Sequence, residues 1–190
     1  YAEFLASRGA RVLVNDVDEV AAERVVHTIR CASGEAIASA ANVVDGADAI
    51  VDAAISNWGR IDIVVCNAGI LRDASFHRLK KGNFEDVIKV HLMGSFSVLR
   101  AAWPHMREAG YGRVVLITSV SGLYGMYGQA NYSSAKAAMV GLAKTLAAEG
   151  EKFGIKVNAL APGGGTAMTK TVLPPEVVEK WKPEFVVPCL

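Results

Sequence analysis

The sequence predicts an α/β domain in which helices cover both faces of a doubly wound parallel sheet. Runs rich in β-branched residues alternate along the chain with segments whose apolar residues recur at helical spacing. The composition is 52% hydrophobic and 21% charged, which suits strands that are buried on both faces. The length of 190 residues fits one domain, which we take as residues 1–190.

The individual elements follow from these patterns in chain order. A short amphipathic helix at residues 1–8 comes first. Five strands are predicted at residues 11–15, 35–40, 61–66, 113–118 and 155–160. Helical periodicity fills the gaps at residues 20–29, 49–54, 83–107 and 131–152. Parallel strands joined by helical crossovers form an open sheet, so this order favours the doubly wound architecture.

Charge and cysteine usage exclude several classes of protein. Twenty Lys and Arg against nineteen Asp and Glu give a net charge of +1, so we expect no nucleic-acid partner. No apolar run approaches 18 residues, so we expect no membrane span. Cys31, Cys66 and Cys189 are odd in number and lack the spacing of a metal site, which predicts neither a disulfide framework nor a bound metal. A reducing compartment is favoured.

Polar or turn-forming residues follow each predicted strand, where an open parallel sheet binds ligands. They are Asp16, Asn42, Asn67, Ser119 and Pro162. Turn chemistry alone also places polar residues at strand ends, and this remains the alternative for any one of them.

Tyr132 and Lys136 are four residues apart, which places both side chains on one face of a helix. Ser119 lies thirteen residues before Tyr132, Asn67-Ala68-Gly69 follows the preceding strand, and Ala161-Pro162-Gly163 follows the last one. A strand-end serine, an interface tyrosine and a solvated lysine are the alternatives to a joint catalytic role.

These motifs together resemble the short-chain dehydrogenase/reductase family over essentially the whole chain. Further segments are similar to the (3R)-hydroxyacyl-CoA dehydrogenase part of the type 2 peroxisomal multifunctional enzymes. These segments are residues 67–73, 90–96, 124–132, 165–169 and 182–184. The resemblance implies a Rossmann-type fold.

The family's first strand and glycine-rich turn have no counterpart in this sequence. We therefore expect the chain to be truncated at both ends, and the sheet to be interrupted between the strands at residues 11–15 and 61–66. Direct pairing of those two strands would contradict this topology.

The resemblance implies that Ser119, Tyr132 and Lys136 are catalytic. A phenol of reference pKa about 10 is a poor base at neutral pH, but a nearby ammonium and a positive nicotinamide both favour the phenolate. Tyr132 is then the general acid/base, and the Ser119 hydroxyl aligns the substrate oxygen. Lys136 also reaches the nicotinamide ribose.

NAD is the expected cofactor because of Asp16. A carboxylate after this strand accepts hydrogen bonds from ribose hydroxyls and repels a 2′-phosphate. The alternative is a helix N-cap, since Asp16 and Asp18 both precede a helical pattern.

The resemblance also assigns the remaining cofactor contacts. Asn42 and Val43 would touch the adenine, and residues 67–69 would line the adenosine side. The residues along the nicotinamide and phosphates would be Pro162, Gly164, Gly165, Thr166 and Ala167. Where most of the family has Asn, this sequence has His91, which the resemblance places among the cofactor-binding residues and whose role is either structural or catalytic. Cys66, in place of another family Asn, is expected to be a buried residue without nucleophilic function.

The predicted activity is hydride transfer between NAD and the hydroxyl-bearing carbon of a 3-hydroxyacyl thioester, of R configuration and linked to coenzyme A. The alternatives are a 3-oxoacyl-carrier-protein reductase, an alcohol or steroid dehydrogenase, or a non-catalytic dimeric family member. A homodimer or homotetramer through helices 83–107 and 131–152 is expected. The expected location is cytoplasmic, with the peroxisome as the alternative.

Overall fold

The computed structural model describes residues 1–163, 176 and 186–189. Its strands are β1 (Val12–Asn15), β2 (Ala36–Ser39), β3 (Ile63–Cys66), β4 (Gly112–Ile117) and β5 (Ile155–Leu160). Its helices are α1 (Ala2–Ser7), α2 (Glu19–Cys31), α3 (Ala47–Trp58), α4 (Lys81–Ile88), α5 (Gly94–Ala109), α6 (Val120–Tyr124) and α7 (Ala130–Gly150). A π-helical segment at Lys89–Met93 joins α4 to α5, and 3₁₀ turns lie at Phe76–Arg78, Glu151–Phe153 and Val187–Cys189.

The five predicted strands are confirmed, with small differences at their ends. The largest difference is at β3, which begins at Ile63 and not at residue 61. Ile61 packs against the core before the backbone joins the sheet, so its apolar character reflects burial and not pairing. β-Branched residues fill the strand interiors because they pack well on a pleated surface.

The strands form two parallel sheets. β1 pairs with β2 from Val12 opposite Ala36 onward. In the other sheet β4 lies between β3 and β5. Among the described residues β1 and β3 are not hydrogen-bonded to each other, so the expected interruption is confirmed. All pairings are parallel and agree with the predicted crossover topology.

The larger hydrophobic core lies where α5 and α7 pack on the three-stranded sheet. Leu116 of β4, Met106 of α5 and Met139 of α7 are fully buried there. Each side chain of this kind contributes about 1.5 to 3 kcal/mol of transfer free energy when removed from water. A smaller core joins α1 and α2 to the two-stranded sheet, around Val26 and Ile29. The two cores hold the carboxyl ends of the strands in place.

The predicted helix at residues 83–107 is longer than expected and is interrupted. It begins at Lys81, passes through the π segment and ends at Ala109. The wider π turn lets the buried His91 side chain reach the backbone of Ile70. Hydrophobic periodicity did not predict the interruption, because the apolar pattern continues through it.

The predicted helix at residues 131–152 is α7, which ends at Gly150. The short helix α6 was not predicted, because five residues are too few to show a periodicity. None of the described helices is long and apolar enough to cross a membrane.

Candidate active site

The predicted site residues lie at the carboxyl ends of the strands. Asp16 follows β1, Asn42 lies three residues after β2, Asn67 follows β3, and Ser119 lies two residues after β4. Val43 packs against Gly94, where an added Cβ would lie 2.5 Å from Val43 Cγ2. The adenine-side turn therefore contacts the start of α5, one helical turn beyond His91.

Tyr132 and Lys136 lie on one face of α7, as the spacing predicts. The Lys136 ammonium is 5.6 Å from the centre of the Tyr132 ring. The Ser119 hydroxyl interacts with the Tyr132 phenol closely enough to lower the pKa of Tyr132. The structure thus brings the three predicted catalytic side chains together.

Lys136 is a buried lysine, with only 3% of its surface exposed. Its Nζ donates a hydrogen bond to the Ile117 carbonyl oxygen at 2.5 Å. Burial lowers the pKa of Lys136 to about 8, while the nearby Cys66 acts in the opposite direction. Its ammonium form therefore still predominates at neutral pH. The solvated-lysine alternative is wrong.

The pKa of Tyr132 is raised above its ordinary value in the protein alone. Burial raises it most, Asp73 raises it further by its negative charge, and the Ser119 hydrogen bond opposes both. The sequence-based expectation of a lowered pKa is therefore wrong for the protein without its cofactor. Spacing along α7 placed the ammonium correctly but gave no measure of desolvation.

Ser119 also has a structural role. It is the N-cap of α6, and its Oγ accepts a hydrogen bond from the Ser121 backbone N–H at 3.2 Å. A hydroxyl has one donor and two acceptor positions, so capping leaves the O–H free to donate toward Tyr132. The structural interpretation of the strand-end serine is therefore correct, and its catalytic role stays a prediction.

Asp16 is not the N-cap of α2. Asp18 takes that position and accepts a hydrogen bond from the Ala21 backbone N–H at 3.1 Å. Asp16 Oδ1 accepts one from the Asp18 backbone N–H at 3.0 Å, and its side chain is exposed at the strand end. The N-cap alternative for Asp16 is therefore wrong, and its role at the ribose stays a prediction.

The Asn67-Ala68-Gly69 turn rests against His91. An added Cβ at Gly69 would overlap the His91 ring, so only glycine lets the turn pack this closely. His91 Nε2 lies 3.0 Å from the Ile70 nitrogen and 2.8 Å from the Ile70 oxygen. Burial and the charge of Lys136 lower the pKa of His91 to about 4, so its ring is neutral at pH 7.

Cys66 is buried beneath the site, at the end of β3. Burial raises the pKa of its thiol to about 12, although a Ser95 hydrogen bond and the Lys136 charge oppose this. Such a thiol is not a nucleophile at neutral pH, as the sequence analysis expected.

Two residues that support the site were not identified from the sequence. The side-chain amide of Asn131, which is fully buried, donates to the Arg72 carbonyl at 2.9 Å and to the Asn83 carbonyl at 3.3 Å. Gln129 Nε2 donates to Asp73 Oδ2 at 2.8 Å. These bonds join the loop after β3 to the start of α7. Their partners are distant in sequence, so no local pattern indicates them.

The described residues suit a dinucleotide by the chemistry of their side chains. Asp16 offers carboxylate acceptors suited to ribose hydroxyls, and Asn42 and Asn67 are exposed at the same edge. Pro162 and Gly163 follow β5 as predicted. The predicted contacts at Gly164, Gly165, Thr166 and Ala167 lie outside the described residues.

Comparison with known proteins identifies the family. The profile described as short chain dehydrogenase matches residues 1–176. The chain belongs to this family. It is therefore an oxidoreductase with a Rossmann-type α/β fold, as the sequence analysis predicted. A crystal structure of a short chain dehydrogenase from Mycobacterium avium is similar to this chain, with a TM-score of 0.89 and 38% sequence identity. The match covers 99% of this chain and 70% of the Mycobacterium avium chain.

Two curated relatives are similar over the same range. A putative short-chain type dehydrogenase/reductase of Mycobacterium tuberculosis is 50% identical over 199 residues, covering 99% of this chain and 70% of the relative. The mouse peroxisomal multifunctional enzyme type 2 is 48% identical over 197 residues. That match covers 99% of this chain and 27% of the mouse enzyme. The chain thus spans about a quarter of the length of the multifunctional relative.

Proposed function

We propose that this chain is an NAD-dependent dehydrogenase that oxidises the 3-hydroxyl group of (3R)-3-hydroxyacyl-CoA. The observation that carries the chemistry is the meeting of Ser119, Tyr132 and buried Lys136 at the carboxyl edge of the sheet. The substrate rests on the 48% identity to the mouse peroxisomal enzyme.

Tyr132 is the general base in the oxidation direction. The substrate hydroxyl loses its proton to the Tyr132 oxygen while its carbon loses hydride, which turns alcohol into ketone. Ser119 holds the substrate oxygen in line with Tyr132 through its free O–H. Bound NAD would supply the hydride acceptor, and its positive charge would favour the phenolate of Tyr132. The reverse reaction uses Tyr132 as the acid.

Lys136 would hold the nicotinamide ribose. Its Nζ has three donors, of which one is used by the Ile117 carbonyl and a second contacts Met139 Sδ at 3.9 Å. The third would be available to a ribose hydroxyl. Asn42 and Val43 would lie against the adenine, and residues 67–69 against the adenosine side. His91 would support that turn from beneath, since its ring packs on Gly69.

NAD is preferred over NADP because of the exposed Asp16 carboxylate at the end of β1. It accepts hydrogen bonds from the two ribose hydroxyls and repels the negative 2′-phosphate of NADP. The backbone bond from Asp18 fixes its orientation.

The phosphates of coenzyme A would meet basic residues near the site. Arg72, Arg78, Lys80 and Lys81 follow the 67–69 turn and are exposed. Lys81 pairs with Glu85 at 3.5 Å, an exposed pair that contributes little and is readily displaced by a phosphate. A solvated charge run remains the alternative for this set.

A turnover assay tests the proposal. The purified protein is given R and S 3-hydroxyacyl-CoA, a 3-hydroxyacyl carrier protein and a simple secondary alcohol, each with NAD and with NADP. The proposal expects the highest kcat/KM for the R acyl-CoA with NAD. An equal kcat/KM for the secondary alcohol would favour an alcohol or steroid dehydrogenase. A higher kcat/KM for the 3-hydroxyacyl carrier protein would favour a 3-oxoacyl-carrier-protein reductase. No turnover of any substrate would favour a non-catalytic member.

The chain would act as a homodimer or homotetramer through α5 and α7. Phe96 of α5 is 45% exposed, and α7 presents the small residues Ser134, Ala137 and Gly141 on its exposed side. Small side chains let helices of two subunits approach closely.

A cytoplasmic location is proposed, with the peroxisome as the alternative. Cys31, Cys66 and Cys189 are all free, which suits a reducing compartment. Imaging of a fluorescent fusion would separate the two locations.

A further inference from the structure

The backbone of Lys136 is contacted directly by a glycine of α6. A Cβ atom at Gly122 would lie 2.7 Å from both the carbonyl carbon and the Cβ of Lys136, and 2.8 Å from the Ala137 nitrogen. Carbon atoms in folded proteins do not approach this closely. The three atoms belong to the backbone or are fixed by it, so they cannot rotate away. Any side chain at residue 122 would therefore push α6 away from α7.

The same short helix carries Ser119. The Gly122 backbone N–H donates to the Ser119 carbonyl at 2.9 Å, and Ser121 donates to the Ser119 side chain. A displacement of Gly122 is therefore transmitted to the Ser119 hydroxyl. Tyr132 lies one helical turn before Lys136 on α7, so the Gly122–Lys136 contact lies one turn from the residue whose pKa the Ser119 hydroxyl lowers.

A second bond fixes the same crossing from the strand side. Thr118, which is 4% exposed, donates from Oγ1 to the Lys136 carbonyl at 2.7 Å. Thr118 immediately precedes Ser119 in the chain. The segment from Thr118 to Gly122 is thus held against the Lys136 backbone at both of its ends, with Ser119 between them.

We propose that Gly122 is a positioning residue that sets the separation between the Ser119 hydroxyl and the Tyr132 phenol through its contact with the Lys136 backbone. The inference rests on the proposed catalytic roles of Ser119, Tyr132 and Lys136. It assigns to Gly122, and to Thr118 with it, an effect on proton transfer without contact with the reacting atoms.

The first test is Gly122→Ala, with Gly82→Ala as its matched control. Gly82 also lies in a helix, and an added Cβ there would meet no atom within 4 Å. Gly122→Ala should lower kcat by about ten- to a hundredfold, because a shift of about 1 Å in a reacting geometry costs that much. The Kd for NAD should stay within about twofold, since α6 supplies no predicted cofactor contact. Gly82→Ala should leave both unchanged.

The pH dependence separates positioning from a general loss of packing. Moving the Ser119 hydroxyl away from the phenol weakens the interaction that lowers the pKa of Tyr132, while burial and Asp73 still raise that pKa. The rising limb of kcat against pH in the oxidation direction should therefore move to higher pH. Ultraviolet titration, with the Tyr132→Phe spectrum subtracted, should show the same shift without any substrate. This second readout stands even if 3-hydroxyacyl-CoA is not the substrate.

Variants of Thr118 provide an independent test of the proposal if the Gly122→Ala protein does not fold. Thr118→Val keeps the shape but removes the bond to Lys136, whereas Thr118→Ser keeps the hydroxyl. Thr118→Val should lower kcat and raise the Tyr132 pKa, and Thr118→Ser should restore both. A folded Gly122→Ala or Thr118→Val protein with wild-type kcat and Tyr132 titration would overturn the proposal. An equal loss of kcat and NAD affinity would overturn it as well.

Discussion

Burial shifts the pKa values of two side chains of α7, Lys136 and Tyr132. Lys136 has a pKa lowered to about 8, and Tyr132 has one raised above its ordinary value. Desolvation disfavours the charged form of each group. It therefore raises the pKa of the acidic phenol and lowers the pKa of the basic amine. Among the described groups, the Ser119 hydroxyl lowers the pKa of Tyr132. On the proposed mechanism, proton transfer would therefore depend on Ser119 as well as on Tyr132.

The first prediction concerns the phenol. Tyr132→Phe should lower turnover by at least about a hundredfold, because it removes the atom that exchanges the proton. Thermal unfolding and NAD affinity should remain nearly unchanged, since the ring and its edge-on packing against His91 are kept. Steady-state kinetics and a cofactor titration measure the two effects. Near-normal turnover would exclude Tyr132 as the acid/base.

Cofactor preference gives a second prediction at the scale of the residue. Asp16→Ala should narrow the preference for NAD over NADP by about 1 to 3 kcal/mol, through lost ribose hydrogen bonds and relief of phosphate repulsion. Asp18→Asn is the control, because it removes a charge two residues away and keeps the helix cap. Ratios of kcat/KM for the two cofactors give the result. A wild-type preference for NADP would contradict the assignment of Asp16.

Among the secondary-structure elements, the π segment between α4 and α5 positions a buried neutral imidazole. His91 is 1% exposed, and its pKa is lowered to about 4 from an ordinary 6.5. Its Nε2 contacts the Ile70 backbone, just beyond the Asn67-Ala68-Gly69 turn. The π turn thereby connects α5 to the predicted adenosine side of the site.

This burial predicts how stability changes with pH. Between pH 6.5 and about 4 the unfolded chain binds a proton at His91 that the native protein does not bind. Stability contributed by His91 is therefore complete above pH 6.5 and is lost as pH falls. The loss from pH 7 to pH 5 should be about 2 kcal/mol.

Urea unfolding at pH 7 and pH 5 measures this loss. His91→Asn should reduce the change in unfolding free energy between the two pH values, because an amide does not titrate. His77→Asn, at an exposed histidine, is the matched control and should retain the wild-type dependence. If His91→Asn loses as much unfolding free energy between pH 7 and pH 5 as the wild type, other groups cause the acid sensitivity.

The whole molecule has exposed apolar surface on the two helices proposed as its interface. Gly141→Arg should convert an oligomer to monomers, because a large charged side chain prevents close helix approach. An added Cβ at Gly141 meets no atom within 4 Å in the single chain, so the fold should be retained. Sedimentation velocity at several concentrations measures the change. Val20→Arg, at a 70% exposed position on α2, is the control and should leave the assembly intact. An oligomer that survives Gly141→Arg would exclude this helix pair.

The sequence by itself determined the order of elements and the edge at which the site lies. Strand and helix periods are local properties, so β-branched runs located all five strands and the apolar spacing located the long helices. The side of the sheet that binds ligand follows from parallel topology, which predicted that Asp16, Asn42, Asn67 and Ser119 share one edge. The four-residue spacing of Tyr132 and Lys136 likewise depends only on helix geometry.

Only the tertiary structure decided how these groups behave. The direction of the Tyr132 pKa shift depends on desolvation and on Asp73, which lies 59 residues earlier in the chain. The bonds of Asn131, the reach of His91 to Ile70 and the contact of Gly122 with Lys136 also join distant segments. Desolvation and close packing depend on which atoms are neighbours in space, and a local sequence pattern contains no record of those neighbours.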